Sequence, residues 1–306
     1  MNLDILSDIL LAIMGGAIRV GTPFLFVSLG ECITEKSGRI NLGLEGVLVF
    51  SAMAGFAGSL WSGLPWVGVL VASLAGAFLG ALHGILCSLP RVNDIAVGIG
   101  LMLLGTGLAF YFGKPLIQPQ AAQLSNISLG FWSDSSKVVQ ALNINPLFPV
   151  GVSLALSLNW AFKNTRWGLN LRMVGDSATA ALAIGASVAK ERILSTCYGG
   201  LIAGIGGASL SLYYPGSWNE GLSSGQGLMA VALVIYARWN PLNCLYAALV
   251  FGGAGAIGPA LQSVGFSKGY NLFNAIPYAL TLLILILTCA PNRTIKGSPS
   301  ELSVAK

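Results

Sequence analysis

Residues 66–88 read WVGVLVASLAGAFLGALHGILCS, and this stretch decides the fold. It holds no Asp, Glu, Lys or Arg. As a helix it is about 34 Å long, enough to cross a hydrocarbon core of roughly 30 Å. Lipid offers no hydrogen bonds, so such a run satisfies its own backbone only as a helix. Gly76, Gly80 and Gly84 recur every fourth residue and form a close-packing face, because small residues let membrane helices approach. His83, the only histidine, follows this spacing and reads as a packed interface residue rather than a proton relay or ligand.

The same texture extends outward. Apolar residues make up 55% of the 306 and charged ones only 9%, far below the roughly 25% of soluble domains. The expected fold is an all-α polytopic membrane protein with about nine spans. They run over 5–31, 41–61, 66–88, 94–113, 146–163, 192–214, 225–239, 241–262 and 270–290. Cys32, Cys87, Cys197, Cys244 and Cys289 lie in or beside these runs and read as small apolar packers, with spacing that fits neither zinc nor disulfides. A span starts at the N-terminus without a basic signal-peptide region.

Charge sets the orientation. With the N-terminus outside, the inner segments carry Lys36, Arg39, Arg91, Lys163, Arg166, Arg172, Lys190, Arg192, Arg238, Arg293, Lys296 and Lys306. The outer ones carry only Lys114, Lys137 and Lys268, a strong positive-inside bias. The net charge of +5 is topology bias rather than a nucleic-acid surface, since no Lys/Arg cluster with interleaved aromatics occurs. Residues 1–290 form one membrane domain. Within it, 114–145 is an external loop and 164–191 a cytoplasmic one; 291–306 reads as a disordered cytoplasmic tail.

Spans one to four and six to nine enter from opposite sides. Each set leads through a glycine-rich break, at 37–46 and at 221–227. Inverted repeats with broken helices are a transporter architecture in which the breaks border the pathway. Asn41 and Glu45 at the first break, and Trp218, Asn219 and Gln226 at the second, are therefore the candidate pathway residues. Each has a structural alternative. Asn41 would cap the second span and Glu45 would sit near that helix's positive end. Trp218, like Tyr213 and Tyr214, fits an interfacial anchor as well as a solute-stacking surface. Arg19 lies inside the first span, where pairing with Glu45 or Glu220 is expected; Asp94 is expected to cap the fourth span.

In the loop 164–191, Asp176 or Ser177 caps an alanine-rich helix that stops at Gly185. Two roles suit it equally on its residues alone: docking a cytosolic partner, or lying on lipid headgroups. No G-x-x-x-x-G-K-[ST] loop occurs, and no catalytic or metal-binding set appears around the lone His83.

The loop resembles the coupling segment of permease subunits of bacterial ATP-binding-cassette importers of the branched-chain amino acid and simple-sugar superfamily. Thr165, Arg166, Gly168, Leu169, Arg172, Gly175, Asp176, Ala180, Ala181 and Gly185 carry the likeness. Glu35-Lys36-Ser37-Gly38 and Asn41-Leu42-Gly43-Leu44-Glu45-Gly46 resemble a signature of its nucleoside-type members, and Gly225-Gln226-Gly227 through Trp239-Asn240-Pro241 is similar to a further family run. The resemblance implies ATPase coupling through Arg172, Gly175, Asp176, Ser177, Ala180, Ala181 and Gly185.

It further implies an inner-membrane chain forming half of a nucleoside pathway, with simple sugars or flavins as the alternative cargo. A cytosolic ATPase using ATP and magnesium would drive it; the chain itself would need no cofactor. A second, homologous permease chain, a heterodimer rather than a homodimer, would complete the pathway. A solute-binding protein or lipoprotein would deliver the cargo. The rival from another class is a self-sufficient secondary transporter or channel, which would need its own intramembrane coupling acids; Glu45 is the one acid well inside a span.

Overall fold

A computed structural model describes residues 3–133, 135–263, 273, 275–288 and 297–304. Its helices are α1 (Leu3–Lys36), α2 (Leu44–Ser62), α3 (Pro65–Cys87), α4 (Asp94–Gly113), α5 (Ser136–Ala141) and α6 (Leu147–Asn164). They continue with α7 (Arg166–Asp176), α8 (Ala178–Ala183), α9 (Val188–Leu212), α10 (Gln226–Tyr236) and α11 (Pro241–Ser263). The described chain closes with α12 (Ile276–Thr288) and α13 (Glu301–Val304). Strands β1 (Ile127–Ser128) and β2 (Asn143–Ile144) pair antiparallel inside the segment 114–145, and α5 lies between them.

Among the described residues, six helices are long and apolar enough to cross a membrane: Ile9–Lys36, Leu44–Ser62, Pro65–Cys87, Asp94–Leu116, Val188–Leu212 and Pro241–Ser263. The expected span 146–163 falls on α6. The described part of 270–290 falls on α12, and its remainder, with Cys289, lies outside the described residues. The expected span 225–239 needs correction. Its helix α10 has 11 residues, roughly 16 Å, about half a hydrocarbon core.

Close backbone packing holds the bundle, because lipid tails give apolar side chains no reason to leave them. A Cβ built on Gly76 would lie 2.2 Å from the Gly200 carbonyl oxygen, and one on Gly80 would lie 2.2 Å from that of Thr196. These positions join α3 to α9. Gly252 and Gly21 do the same for α1 and α11, with a Gly252 Cβ falling 2.3 Å from the Ala17 oxygen. His83 is fully buried in the α3 interface, its Nε2 3.5 Å from Cys87 Sγ.

The two most extensive helix pairings are α3 with α9 and α1 with α11, followed by α1 with α9. Exchanging α1 with α9 and α3 with α11 interchanges the first two and preserves the third. Other pairings do not follow the exchange: α2 packs extensively on α3, whereas its counterpart α10 meets α11 only briefly.

The tail also differs from expectation. Residues 291–296, 305 and 306 lie outside the described residues, but 297–304 lie against the basic end of the bundle. Glu301 there accepts from the Ala178 amide at 2.9 Å and pairs with Arg192 at 3.0 Å. A satisfied carboxylate fixes a segment that composition alone reads as loose.

Candidate functional site

The first break begins where α1 ends. Gly38 has φ +81°, and the chain then turns back along α1. The Asn41 amide donates to Glu31 Oε1 at 2.9 Å, and Asn41 Oδ1 accepts from the Gly43 amide at 2.9 Å. That side chain closes a local turn and leaves α2, which starts after Gly43, without a side-chain cap. The expected cap at Asn41 thus lies two residues before the N-cap position, which Gly43 occupies. Arg39 pairs with Asp94 at 2.5 Å and donates to the Cys87 carbonyl. Asp94 is accordingly not the cap of α4. Asn93, extended and one residue earlier, accepts from the Ile95 and Ala96 amides and leaves Asp94 for Arg39.

Glu45 joins the two breaks. One carboxylate oxygen accepts from Ser223 Oγ and the Gly225 amide (3.0 Å), and the other from the Gly227 amide (2.7 Å). Gly225, at φ +79°, is the N-cap of α10, so a carboxylate from the first turn of α2 also serves the first turn of α10. Two helix N-termini, each carrying partial positive charge, converge on one acid. Contact is close enough that a Cβ on Gly227 would lie 2.6 Å from the Glu45 Cα. Its neighbour Gly46 meets Met102, eight residues into α4 and about 12 Å along its axis. The junction therefore lies inside the bundle, and α10 is a half-helix starting there. At the other end of α10, Trp239 Nε1 donates to Glu35.

The remaining candidates divide. Gln226, first residue of α10, sits half-buried at the junction beside Glu45's partners. Trp218 does not form an open stacking surface. It is 1% exposed, and its indole lies over Gly113 at the far end of α4. Asn219 is exposed near that end and accepts from the Gly221 amide. Tyr214 is 41% exposed, whereas Tyr213 is half-buried and close to Arg19. Glu45, expected as an alternative Arg19 partner, is engaged by the second break. Gln123 Nε2 donates to the Gly216 carbonyl, and the Leu124 amide donates to that of Leu212, so the segment 114–145 is tied to the end of α9 and the turn that follows it.

The stretch 164–191 forms a helix pair rather than a loop with one helix. Thr165 caps α7 by accepting from the Gly168 amide, and Ser177 caps α8 by accepting from the Ala180 amide. Gly185, at φ +85°, lets the chain turn into α9. Leu171, Val174 and Gly175 are buried. A Cβ on Gly175 would lie 2.1 Å from the Lys36 carbonyl oxygen, which seats α7 on the end of α1. Of the expected coupling residues, Gly175 and Ala181 are buried framework and Ser177 is a cap. Arg172, Asp176, Ala180 and Gly185 face outward. Sequence reasoning missed Leu182 and Ile184, which stand 59% and 67% exposed at the end of α8. Two bulky apolar residues in a stretch of alanine were the available signal. Ser223 was missed as well, and only the fold shows its contact with Glu45.

The family described as branched-chain amino acid transport system, permease component, matches residues 13–288. The chain is 31% identical over 275 residues to a putative glucose ABC transporter permease protein, TsgC13, of Haloferax volcanii, spanning 85% of this chain and 80% of that one. It is 29% identical over 302 residues to the guanosine ABC transporter permease protein NupQ of Bacillus subtilis, covering 91% and 92%. The nucleoside ABC transporter permease protein NupC of Lactococcus lactis is 27% identical, with 90% and 91% covered.

Proposed function

Because this chain belongs to the branched-chain amino acid transport system permease family, we propose that it forms half of an ATP-driven nucleoside importer. The observation that carries this reading is the capped pair α7–α8. Its base is locked onto α1 through Gly175, its tip bears exposed Leu182 and Ile184, and Arg166, Arg172 and Lys190 are exposed along the same stretch 164–191. An apolar tip in a basic, cytoplasmic setting fits a groove on a separate ATPase. That subunit would hold ATP and magnesium and would close against α8.

The contacts supply a route for force. Motion of α7 reaches the end of α1 at Lys36. Glu31 and Glu35 on α1 hold Asn41 in the first break and Trp239 beyond α10. The Glu45 junction then ties α2 to α10. Shifting α1 would thus move both broken helices, which border the pathway that Asn41, Glu45, Asn219 and Gln226 are proposed to line. The N-terminus lies outside and the basic end faces the cytoplasm. A second, homologous permease chain provides the opposite wall, and an extracytoplasmic binding protein delivers the solute.

Nucleosides are favoured because two long-coverage relatives carry guanosine or nucleoside in their names and residues 41–46 resemble the nucleoside-type signature. The glucose relative makes simple sugar the second reading. Screening the cognate binding protein against nucleosides and sugars decides between them: nucleoside binding upholds the first reading, and sugar binding alone replaces it.

A further inference from the structure

Glu301, in the last described turn of the chain, holds the start of α8 and the start of α9 with one carboxylate. Oε1 accepts from the Ala178 amide at 2.9 Å, and Oε2 meets Arg192 Nη2 at 3.0 Å. The same Arg192 reaches back through Nε to the Ser37 carbonyl at 3.1 Å, in the first break. Other contacts fix the segment around it. Lys36 Nζ donates to the Gly297 carbonyl at 3.3 Å. Pro299 lies over Gly175, where an added Cβ would come within 3.3 Å of it, and Leu302 packs on the core. Gly38 faces the Glu301 Cβ, and at φ +81° it could not take a side chain without strain. Residues 297–304 therefore touch the end of α1, the first break, the end of α7, the start of α8 and the start of α9. All of them lie beyond the region matched by the family, 13–288.

We propose that residues 297–304 are a strap that positions the coupling helices α7–α8 against α1 and α9, with Glu301 as its positioning residue. The strap rests on the reading of α8 as the ATPase contact. In that reading α8 meets the rest of the chain through buried Ala181, clustered with Val174 of α7 and Val188 of α9, and through the short turns at its two ends. Six helical residues bearing an exposed tip make a weak lever, because a load on Leu182 would bend them before it moved α9. Glu301 removes that slack. It ties the first amide of α8 to the guanidinium at the base of α9, so a push on the tip is shared between α1, through α7, and α9, through the strap.

Hydrogen exchange on the full-length chain in nanodiscs tests the strap without any partner. In Glu301→Ala, the amides of residues 178–181 should exchange roughly tenfold or more faster than in the unaltered chain, with the α3–α9 interface unaffected. Glu301→Gln keeps an acceptor for Ala178 but loses the ion pair, so its exchange should fall between the two. Unchanged exchange at 178–181 in Glu301→Ala overturns the strap. In the reconstituted importer, Glu301→Ala should still co-purify with the ATPase while solute moved per ATP hydrolysed falls several-fold; an unchanged ratio also overturns it. Should the unaltered chain fail to bind any ATPase, the coupling reading falls, and the exchange result still reports separately on the tie.

Discussion

Glu45 accepts three hydrogen bonds from a segment 178 to 182 residues away, and no local pattern announces them. Replacing it with Ala leaves a hydroxyl and two amides inside the bundle without an acceptor, at about 1–3 kcal/mol each. Glu45→Ala should therefore lower the melting temperature by several degrees and abolish uptake. Glu45→Gln should be intermediate, since one amide oxygen can serve Ser223 and Gly225 while its NH2 group faces the Gly227 N–H. Melting curves of the purified variants check this; a Glu45→Ala protein that melts like the original shows that the junction does not hold the breaks together. The tip of α8 behaves oppositely. Leu182 and Ile184 are exposed, so Leu182→Asp or Ile184→Asp should leave stability within about 0.5 kcal/mol and reduce ATPase co-purification at least tenfold. Asp176→Arg, also on the exposed face, should do the same. Gly175→Asp is a different kind of change, because its side chain would collide with the Lys36 carbonyl and unseat α7. Pull-down paired with a thermal melt separates the two kinds.

At the scale of elements, the glycine faces make the sharpest demand. Gly200→Leu forces a branched side chain into the Gly76 carbonyl, and overpacking of this kind costs about 1–3 kcal/mol or more. The variant should insert but lose its monodisperse elution and melt several degrees earlier; wild-type elution and melting would show that α3 and α9 do not meet at these glycines. Elements also show what the sequence could convey. Apolar length found the helices, and the 76–80–84 spacing found the face of α3, because both follow from the chemistry of nearby residues and lipid. Apolar length could not show that 225–239 is a half-helix, since hydropathy records which residues avoid water and not where the backbone turns. Cap assignment failed by one residue at Asp94, where two adjacent polar residues compete and a distant arginine decides. Trp218 looked accessible beside a glycine-rich break; its burial depends on Gly113, more than a hundred residues earlier. In 164–191 the sequence singled out Arg172, Asp176, Ala180 and Gly185, which are exposed, but passed over Leu182 and Ile184, and that Gly175 is framework is visible only from its contact with the end of α1.

For the whole molecule, Glu45 links the first turn of α2 to the start of the half-helix α10 across one junction, while the extensive α3–α9 and α1–α11 pairings hold the bundle. On the proposed reading, one chain supplies one wall of a pathway and one coupling surface, and the driving reaction lies in another subunit. The most direct measurement is solute uptake into proteoliposomes. With the partner permease, ATPase and binding protein reconstituted alongside this chain, nucleoside should accumulate only when ATP is supplied on the α8 side, and omission of the ATPase should reduce uptake to background. Accumulation by this chain alone, driven by a proton gradient without ATP, would contradict the account.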